Sequence, residues 1–253
     1  MKGKITIVGC GWLGMPLVNQ LVHNFEVHVL TRSKAKIETL RSIDIHAIPF
    51  LDSTEHLSNE IIQTDWLIYM IPPSGMDDYV AFTKNILHQF PVTTKIIFTS
   101  SIGVYEPSLE VINEQSKVIK NHPLVLVETY IQQTFAQSYS LRLAGLINEQ
   151  RHPVYYLSGK ENLNPMQVVN LVHQTDVITA IQSILAEQPL EHTFNICYPA
   201  HPSRQEYYTQ QAQKLNLPLP IFINQNELGK QIDGNQIEQT TSFRYRTSIF
   251  NKK

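Results

Sequence analysis

Residues 5–14 read ITIVGCGWLG, a β-branched run that leads directly into three glycines with the spacing G-x-G-x-x-G. The run at 5–8 predicts a buried strand, and the apolar pattern of 13–23 predicts the helix that follows it. The same alternation continues along the chain, with strands predicted at 26–30, 45–48, 65–71, 95–99, 140–144 and 193–197 and helices at 33–41, 77–88, 124–137, 176–186 and 204–215.

The three glycines have distinct tasks when such a loop joins a strand to a helix. Gly9 permits the tight turn, Gly11 lets the backbone approach a pyrophosphate, and Gly14 lets the helix pack on the sheet. The helix amino terminus adds free N–H groups and partial positive charge. We therefore expect this loop, including Trp12 and Leu13, to bind a dinucleotide, the alternative being a glycine-rich turn without a ligand.

The end of the second predicted strand indicates which dinucleotide is bound. An NAD site usually has an acidic residue here for the ribose hydroxyls, but the chain reads Thr31-Arg32-Ser33-Lys34. A guanidinium matches phosphate geometry, so Arg32, with Thr31 and Ser33 beside it, favours the 2′-phosphate of NADP, with NAD as the alternative. In the other interpretation, Arg32 and Lys34 are solvated residues at a helix start.

Short strands alternating with helices predict βαβ units, and right-handed crossovers then give an open sheet. The predicted fold class is α/β, a Rossmann doubly wound parallel sheet with a small carboxyl-terminal lobe. We expect a single NAD(P)-binding Rossmann-like domain over 1–253, with a small substrate-side lobe from about 145–175 and 198–253. Pro72 and Pro73, which end the strand at 65–71, either form a rigid wall beside the cofactor or simply stop the strand.

The composition excludes several classes of protein. A net charge of −2 gives no basic field for nucleic acid, and no stretch approaches the ~20 apolar residues of a membrane span. The two cysteines, Cys10 and Cys197, suit unpaired thiols in a reducing compartment, so we expect a cytoplasmic protein. The expected partner is a small-molecule substrate, and a homodimer is one option for its assembly.

Residues 99–106, TSSIGVYE, follow the apolar run at 95–98. A buried strand that ends in hydroxyls and a glycine is suited to holding a polar group at its carboxyl end. We expect Thr99 and Ser100 to contact the cofactor and Ser101 to donate a hydrogen bond to a bound carbonyl.

With these motifs in view, the chain resembles the extended short-chain dehydrogenase/reductase family, which includes NAD(P)-dependent epimerases and dehydratases. GCGWLG resembles the family's cofactor loop, and IIFTSSIGVYE its fifth strand, with the active-site serine at Ser101. LRLAGLINEQR resembles a strand and loop with a trailing arginine, here Arg151, and NLVHQTDV a segment ending in an aspartate, here Asp176. HPSRQEYY resembles a carboxyl-terminal helix start.

The resemblance breaks at the family's Tyr-x-x-x-Lys pair. There the tyrosine exchanges a proton with the substrate oxygen, and the lysine lowers the phenol pKa toward neutrality. Counted from Ser101, the two positions fall near Leu126 and Tyr130; aligned by Glu128 instead, they fall on Lys120 and Leu124. Neither alignment restores the pair, so the chain resembles the atypical branch of the family.

Other residues are candidates for the missing roles. Tyr105 and Tyr130 are candidate catalytic acids, although Tyr105 also fits the ordinary loop pattern and Tyr130 a packing position. Arg151 and His173 are candidate substrate contacts, and His173 has the alternative of orienting its loop. Asp176 reads most simply as a helix N-cap. The four histidines His46, His56, His88 and His192 are scattered in the sequence and indicate no metal site.

Two functions are consistent with these residues. The first is an NAD(P)-dependent oxidoreductase or epimerase acting on a small carbonyl or sugar-like substrate, which the retained TSSIGVYE and Arg151 favour. The second is a catalytically silent NADP(H)-binding regulatory or scaffold protein, which the missing Tyr-x-x-x-Lys pair favours. The enzyme is the preferred hypothesis, and the short carboxyl-terminal lobe argues against a whole nucleotide-sugar as substrate.

Overall fold

A computed structural model of the chain describes residues 2–43, 45–49, 56–223 and 229–250. The parts of the predicted lobe at 224–228 and 251–253 lie outside these described residues. The strands are β1 Gly3–Val8, β2 Phe25–Thr31, β3 His46–Pro49, β4 Trp66–Tyr69, β5 Lys95–Ser101, β6 Val111–Ile112, β7 Ser138–Leu143, β8 Gly145–Ile147, β9 Glu161–Leu163, β10 Leu171–His173, β11 Thr193–Ile196, β12 Ile221–Phe222 and β13 Gln231–Ile232.

The helices alternate with the longer strands, as the apolar periodicity predicts, and a 3₁₀ turn at Ile102–Val104 follows β5. They are α1 Gly14–Leu21, α2 Lys34–Arg41, α3 Asn59–Ile62, α4 Tyr79–Leu87, α5 Pro123–Thr134, α6 Val154–Leu157, α7 Gln174–Glu187, α8 Arg204–Lys214 and α9 Gln236–Thr240. None of these described helices combines the length and the hydropathy that crossing a bilayer requires.

The main sheet has seven strands in the order β11-β7-β5-β4-β1-β2-β3. Strand β1 runs parallel to β2 on one side and to β4 on the other, and β2–β3 and β4–β5 are parallel as well. Strands β1, β2 and β3 therefore form one half of the sheet in chain order. The chain then crosses to the other side of β1, where β4, β5, β7 and β11 form the second half. This confirms the predicted Rossmann doubly wound α/β fold, in which ligands bind where the strand order reverses.

The first of two compact units comprises Met1–Val104 and Ile119–Leu141. Its central strands are buried on both faces, as their continuous apolar sequences require. All four residues of β4 are buried, and in β1 burial is complete at Ile5, Ile7 and Val8.

The second unit comprises Tyr105–Val118 and Arg142–Lys253. It contains three two-stranded parallel pairs, β8–β10, β9–β12 and β6–β13. Its own apolar core includes Ile147, Val154, Leu171, Tyr207 and Ile249. The predicted lobe segments 145–175 and 198–253 both fall within this unit.

Candidate functional site

The glycine loop between β1 and α1 is shaped by close contacts at two of its glycines and by open space at the third. Gly9 has φ of +94°, and a Cβ there would lie 2.9 Å from the Ile71 nitrogen. A Cβ on Gly14 would lie 3.2 Å from Cε of Met70. By contrast, a Cβ on Gly11 would meet nothing within 4 Å. The loop is thus closely packed at Gly9 and Gly14, whereas the space beside the Gly11 backbone is open.

A cavity of about 260 Å³ lies against this loop in the first unit. Six of the residues predicted to bind the cofactor line it: Gly9, Gly11, Thr31, Arg32, Ser33 and Pro72. It is also lined by residues that were not predicted: Cys10, Leu30, Lys36, Met70 and Ile71. The other predicted cofactor residues are not in its lining: Trp12, Leu13, Gly14, Pro73, Thr99 and Ser100.

Two cationic side chains face this cavity. Arg32 is exposed at the end of β2, and the half-buried Lys36 donates from Nζ to the Cys10 carbonyl at 3.0 Å. Ser33 caps α2, because its Oγ accepts the Lys36 N–H at 3.4 Å. Sequence reasoning missed Lys36, although a helix starting at Lys34 places it in the first turn beside Arg32. The cavity is therefore suited to an anionic ligand.

Cys10 lines the cavity without being a reactive thiol. It is 2 % exposed, and this burial raises its pKa to about 11, although the nearby Lys36 ammonium acts in the opposite direction. Because the thiolate is the nucleophilic form, Cys10 acts here as a small apolar wall residue.

The hydroxyl-bearing end of β5 also belongs to the first unit. Thr99 Oγ1 donates to the Tyr69 carbonyl at 3.4 Å, and the buried Ser100 Oγ has no hydrogen-bond partner among the described residues. Ser101 is half-buried, and its Oγ accepts the Gly103 N–H at 3.0 Å. That contact uses a lone pair of Ser101 and leaves its O–H proton available for a ligand.

Helix α5 is where the family resemblance places the tyrosine–lysine pair. Its Tyr130 is half-buried, with the Lys84 ammonium 5.1 Å from the ring centroid, which is a cation–π contact. His122 caps the helix, since its Nδ1 accepts the Leu124 N–H at 3.2 Å. Leu124 is buried and Leu126 is 41 % exposed. No lysine follows Tyr130 at the required spacing on this helix.

A Tyr-x-x-x-Lys spacing does occur in the second unit, at Tyr156 and Lys160. Helix α6 ends at Leu157, and Gly159 has φ of +67°. The two residues are therefore not on successive turns of one helix, and both are exposed. The spacing does not reproduce the geometry by which a lysine activates a tyrosine.

Tyr105 lies in a buried polar network of the second unit. Its hydroxyl donates to Asn195 Oδ1 at 2.6 Å and accepts from Arg142 Nη1 at 2.8 Å. The residue is fully buried, and that burial raises the pKa of its phenol, against the effect of Arg142. Because the Tyr105 O–H proton is already donated to Asn195 and the residue is fully buried, these contacts argue against the expectation that Tyr105 is a proton donor.

The same network ties together distant parts of the second unit. The backbone N–H of Asn195 donates to Glu114 Oε1 at 2.8 Å. The side-chain Nδ2 of Asn195 donates to the Asp233 carbonyl at 3.0 Å. Lys230 donates from Nζ to the carbonyl of Tyr105. Burial raises the Glu114 pKa above its ordinary value. The network fixes the backbone around Tyr105, so its first function is structural.

His173 and Arg151 were predicted to contact substrate. His173 is 4 % exposed and caps α7, with its Nδ1 accepting the Thr175 N–H at 3.2 Å. Its Nε2 lies 3.4 Å from Glu149 Oε1, without a hydrogen bond in the described part of the chain. Arg151 is exposed on the loop that follows β8.

The prediction that Asp176 is an N-cap is wrong, because α7 begins earlier, at Gln174. Asp176 instead lies in the first turn, where its carboxylate accepts the Thr247 N–H and hydroxyl, both at 3.1 Å. Burial raises its pKa, opposed by the Thr247 and Arg246 N–H groups. Asp176 therefore holds the segment around Thr247 rather than facing a ligand.

Several solved structures share this arrangement of strands and helices. UDP-glucuronic acid 4-epimerase from Bacillus cereus, solved in complex with NAD, covers 98 % of this chain and 93 % of its own at 14 % identity, with a TM-score of 0.75. A short-chain dehydrogenase/reductase superfamily protein from Agrobacterium tumefaciens with bound NAD covers 97 % and 93 % at 13 % identity, again with a TM-score of 0.75. The chain therefore has the fold seen in these short-chain dehydrogenase/reductase structures.

The sequence itself has a nearer relative. Protein YeeZ of Escherichia coli K12 is 34 % identical over 265 aligned positions, which cover 96 % of each chain. No protein-family model matches the chain. The chain belongs to the family of Protein YeeZ.

Proposed function

We propose that the chain binds NAD(P) and acts as an oxidoreductase or epimerase on a small carbonyl or sugar-like substrate. The observation that carries this proposal is the cavity of about 260 Å³ between the bare backbone of Gly11 and the cations Arg32 and Lys36. A pyrophosphate must approach the backbone closely at the start of α1, and the open space beside Gly11, where a Cβ would meet nothing within 4 Å, permits this approach. The relatives solved with NAD support the same class of cofactor.

NADP is the proposed form of the cofactor. Among the described residues that line the cavity there is no acidic side chain for the ribose hydroxyls, whereas Arg32 is exposed at the end of β2. A guanidinium pairs with a 2′-phosphate through two parallel hydrogen bonds. NAD is the alternative, since it is the dinucleotide in both solved relatives named above.

A nicotinamide dinucleotide would supply the hydride exchange, and the side chains of this chain would orient the substrate. Ser101 is proposed to donate a hydrogen bond from its free O–H to the substrate carbonyl oxygen. Tyr130 is the remaining proton-donor candidate on α5, in contact with the Lys84 ammonium. Arg151 and His173 are proposed as contacts for an anionic group of the substrate.

The substrate class stays open to nucleotide-sugars. The Bacillus cereus relative is by its name a UDP-glucuronic acid epimerase, and the chain covers 93 % of its length. The size of the carboxyl-terminal lobe therefore gives only a weak argument against such a substrate. A catalytically silent NADP(H)-binding protein is the second candidate, favoured by the buried Tyr105 hydroxyl and by the missing tyrosine–lysine pair.

Calorimetric titration of NADPH, NADP⁺, NADH and NAD⁺ tests the cofactor proposal. We expect Gly11→Val to abolish binding and Arg32→Ala to weaken NADPH binding by about 10- to 100-fold, the value of one charge-assisted phosphate contact. NADH binding should change little in Arg32→Ala. The control is Lys160→Ala, which removes an exposed positive charge in the second unit. Failure of all four dinucleotides to bind contradicts the proposal.

Turnover is tested separately on the cofactor-loaded protein. A panel of small carbonyls, sugars and UDP-sugars is incubated with it while nicotinamide absorbance and substrate stereochemistry are followed. We expect Ser101→Ala to lower kcat and to leave dinucleotide affinity unchanged. Tight cofactor binding without conversion of any substrate on the panel would favour the catalytically silent alternative.

A further inference from the structure

Two histidines lie side by side on the β2–β3 edge of the main sheet. In the parallel register, His28 on β2 is paired with His46 on β3. Residues paired in this way point to the same face of a sheet. Their ring centroids are 4.9 Å apart, with the ring planes inclined at 60°. The pairing therefore brings together two imidazoles that are widely separated in sequence.

A carboxylate completes the group. Glu60 is in the first turn of α3, and its Oε1 lies 3.1 Å from His46 Nδ1. One potential ligand atom from each of His28, His46 and Glu60 lies within 4.8 Å of the other two. A cavity of about 400 Å³ is lined by all three residues and by Glu26, which leaves room for a solvent ligand.

His28 supplies an independent sign of a ligand. It is 2 % exposed, yet its Nδ1 has no hydrogen-bond partner in the described part of the chain. Its Nε2 is 3.0 Å from Glu26 Oε1, and Glu26 in turn pairs with Lys4 at 3.2 Å. A carboxylate that orients a histidine in this manner is a common outer partner at metal sites.

We propose that His28, His46 and Glu60 bind one Zn²⁺ ion. Two imidazoles and a carboxylate are a ligand set that zinc accepts, with water as the fourth ligand. Zinc–ligand bonds of about 2.0–2.2 Å require the three ligand atoms to move closer together. The side chains of His46 and Glu60 are 40 % and 56 % exposed, so they are free to make this adjustment around the buried His28.

The sequence carries no motif for this site. His28 and His46 lie on different strands, and Glu60 follows on a short helix, so their spacing matches no local zinc pattern. The expectation of scattered histidines is corrected for His46, because strand register places it beside His28.

The test uses the untagged, chelator-treated full-length chain and Zn²⁺ alone. Calorimetric titration in a non-chelating buffer gives stoichiometry and affinity, and metal analysis after gel filtration checks retention. We expect one Zn²⁺ per chain, with affinity weakened about 100-fold by His46→Ala and about 10-fold or more by Glu60→Gln. The outer-partner variant Glu26→Gln should lose about 10-fold. The matched control is His88→Ala, which removes an exposed histidine elsewhere in the first unit.

Circular dichroism verifies that each variant is folded, and the exposure of His46 and Glu60 makes their substitution safe for the core. Binding of Co²⁺ supplies a second readout, since its visible spectrum should change in His46→Ala and stay the same in His88→Ala. No Zn²⁺ binding, or binding that His46→Ala and Glu60→Gln leave unchanged, overturns the proposal. Because dinucleotide titration of the same protein is independent of zinc, neither result decides the other.

Discussion

The glycine loop of the first unit and the Tyr105 network of the second unit are built in opposite ways. The loop is formed by residues adjacent in sequence, and its determining features are backbone conformation at Gly9 and open space at Gly11. The network joins Tyr105 to Arg142 and Asn195, which are 37 and 90 positions away in the chain. Its determining features are buried hydrogen bonds between side chains.

The difference bears on what each region can do. A Cβ on Gly11 would meet nothing within 4 Å, so a ligand has open space beside this residue, although its N–H donates to the Gly9 carbonyl at 2.9 Å. The Tyr105 hydroxyl, by contrast, is fully buried and already donates its proton to Asn195. A binding site needs open space beside its polar groups, while a buried structural network needs every polar group satisfied. We therefore propose ligand binding at the loop and a structural role for Tyr105.

The largest predicted change in the free energy of unfolding distinguishes two glycines of the same loop. Gly9→Ala combines φ of +94° with a Cβ 2.9 Å from backbone atoms, so we expect a loss of more than about 3 kcal/mol or failure to fold. Gly11→Ala meets nothing within 4 Å and should stay within about 1 kcal/mol. Urea denaturation midpoints measure both. Equal destabilisation by the two substitutions would contradict this division of roles.

The second predicted effect is a pH dependence of folding stability that comes from a histidine in the second unit. His152 is 4 % exposed and within 2.8 Å of the Tyr207 hydroxyl, and burial lowers its pKa to about 4. The unfolded chain takes up this proton near the ordinary pKa of about 6.5, but the folded chain does not. Its contribution to stability is therefore present above about pH 6.5 and is lost as the pH falls toward 4, by up to about 3 kcal/mol.

Urea unfolding of wild type and His152→Gln at pH 7 and pH 5 measures this contribution. We expect the wild type to lose more free energy of unfolding between the two values than the variant loses. The exposed-histidine variant His88→Gln should follow the wild type. A His152→Gln profile parallel to that of the wild type would show that the buried imidazole is not the cause.

These regions also differ in how far their sequence predicts them. The strand–loop–helix at 5–23 and the cation Arg32 were predicted because their signals are local: β-branched runs, glycine spacing and helix starts. Lys36 was missed, although its position followed from the helix start at Lys34. The pairing of His28 with His46 depends on strand register, and the Tyr105 hydrogen bonds depend on tertiary packing. Neither produces a periodic pattern in the sequence.

The third effect tests the structural role of Tyr105. Tyr105→Phe removes the donor to Asn195 Oδ1, and an unsatisfied buried acceptor costs about 1–3 kcal/mol. Arg142 Nη1 loses one acceptor but still donates to the Glu114 carbonyl at 3.3 Å. Tyr156→Phe is the control, since that side chain is 60 % exposed, and it should stay within about 0.5 kcal/mol. Thermal or urea unfolding gives the values. If Tyr105→Phe keeps wild-type stability but abolishes turnover, Tyr105 is catalytic after all.

The smallest predicted change in the free energy of unfolding concerns the helix caps, and one cap from each unit is compared. In α8, Ser203 Oγ accepts the Glu206 N–H at 3.2 Å while Glu206 Oε2 accepts the Ser203 N–H at 3.0 Å, a reciprocal capping box. In α2, Ser33 accepts a single N–H, from Lys36, at 3.4 Å. Because two donors are satisfied in the first case and one weakly in the second, Ser203→Ala should cost about 1 kcal/mol and Ser33→Ala about 0.5 kcal/mol.

The same pair of variants distinguishes a cap from a ligand contact. Ser33 lines the cavity that we propose for the cofactor, so Ser33→Ala should weaken NADPH binding by a few-fold despite its smaller effect on the free energy of unfolding. Ser203→Ala should leave NADPH affinity unchanged, because Ser203 lies outside that lining. Paired urea and calorimetric measurements on both variants provide the comparison. If the two substitutions change affinity in proportion to stability, then Ser33 acts only through α2, and the anion site rests on Arg32, Lys36 and the backbone at Gly11.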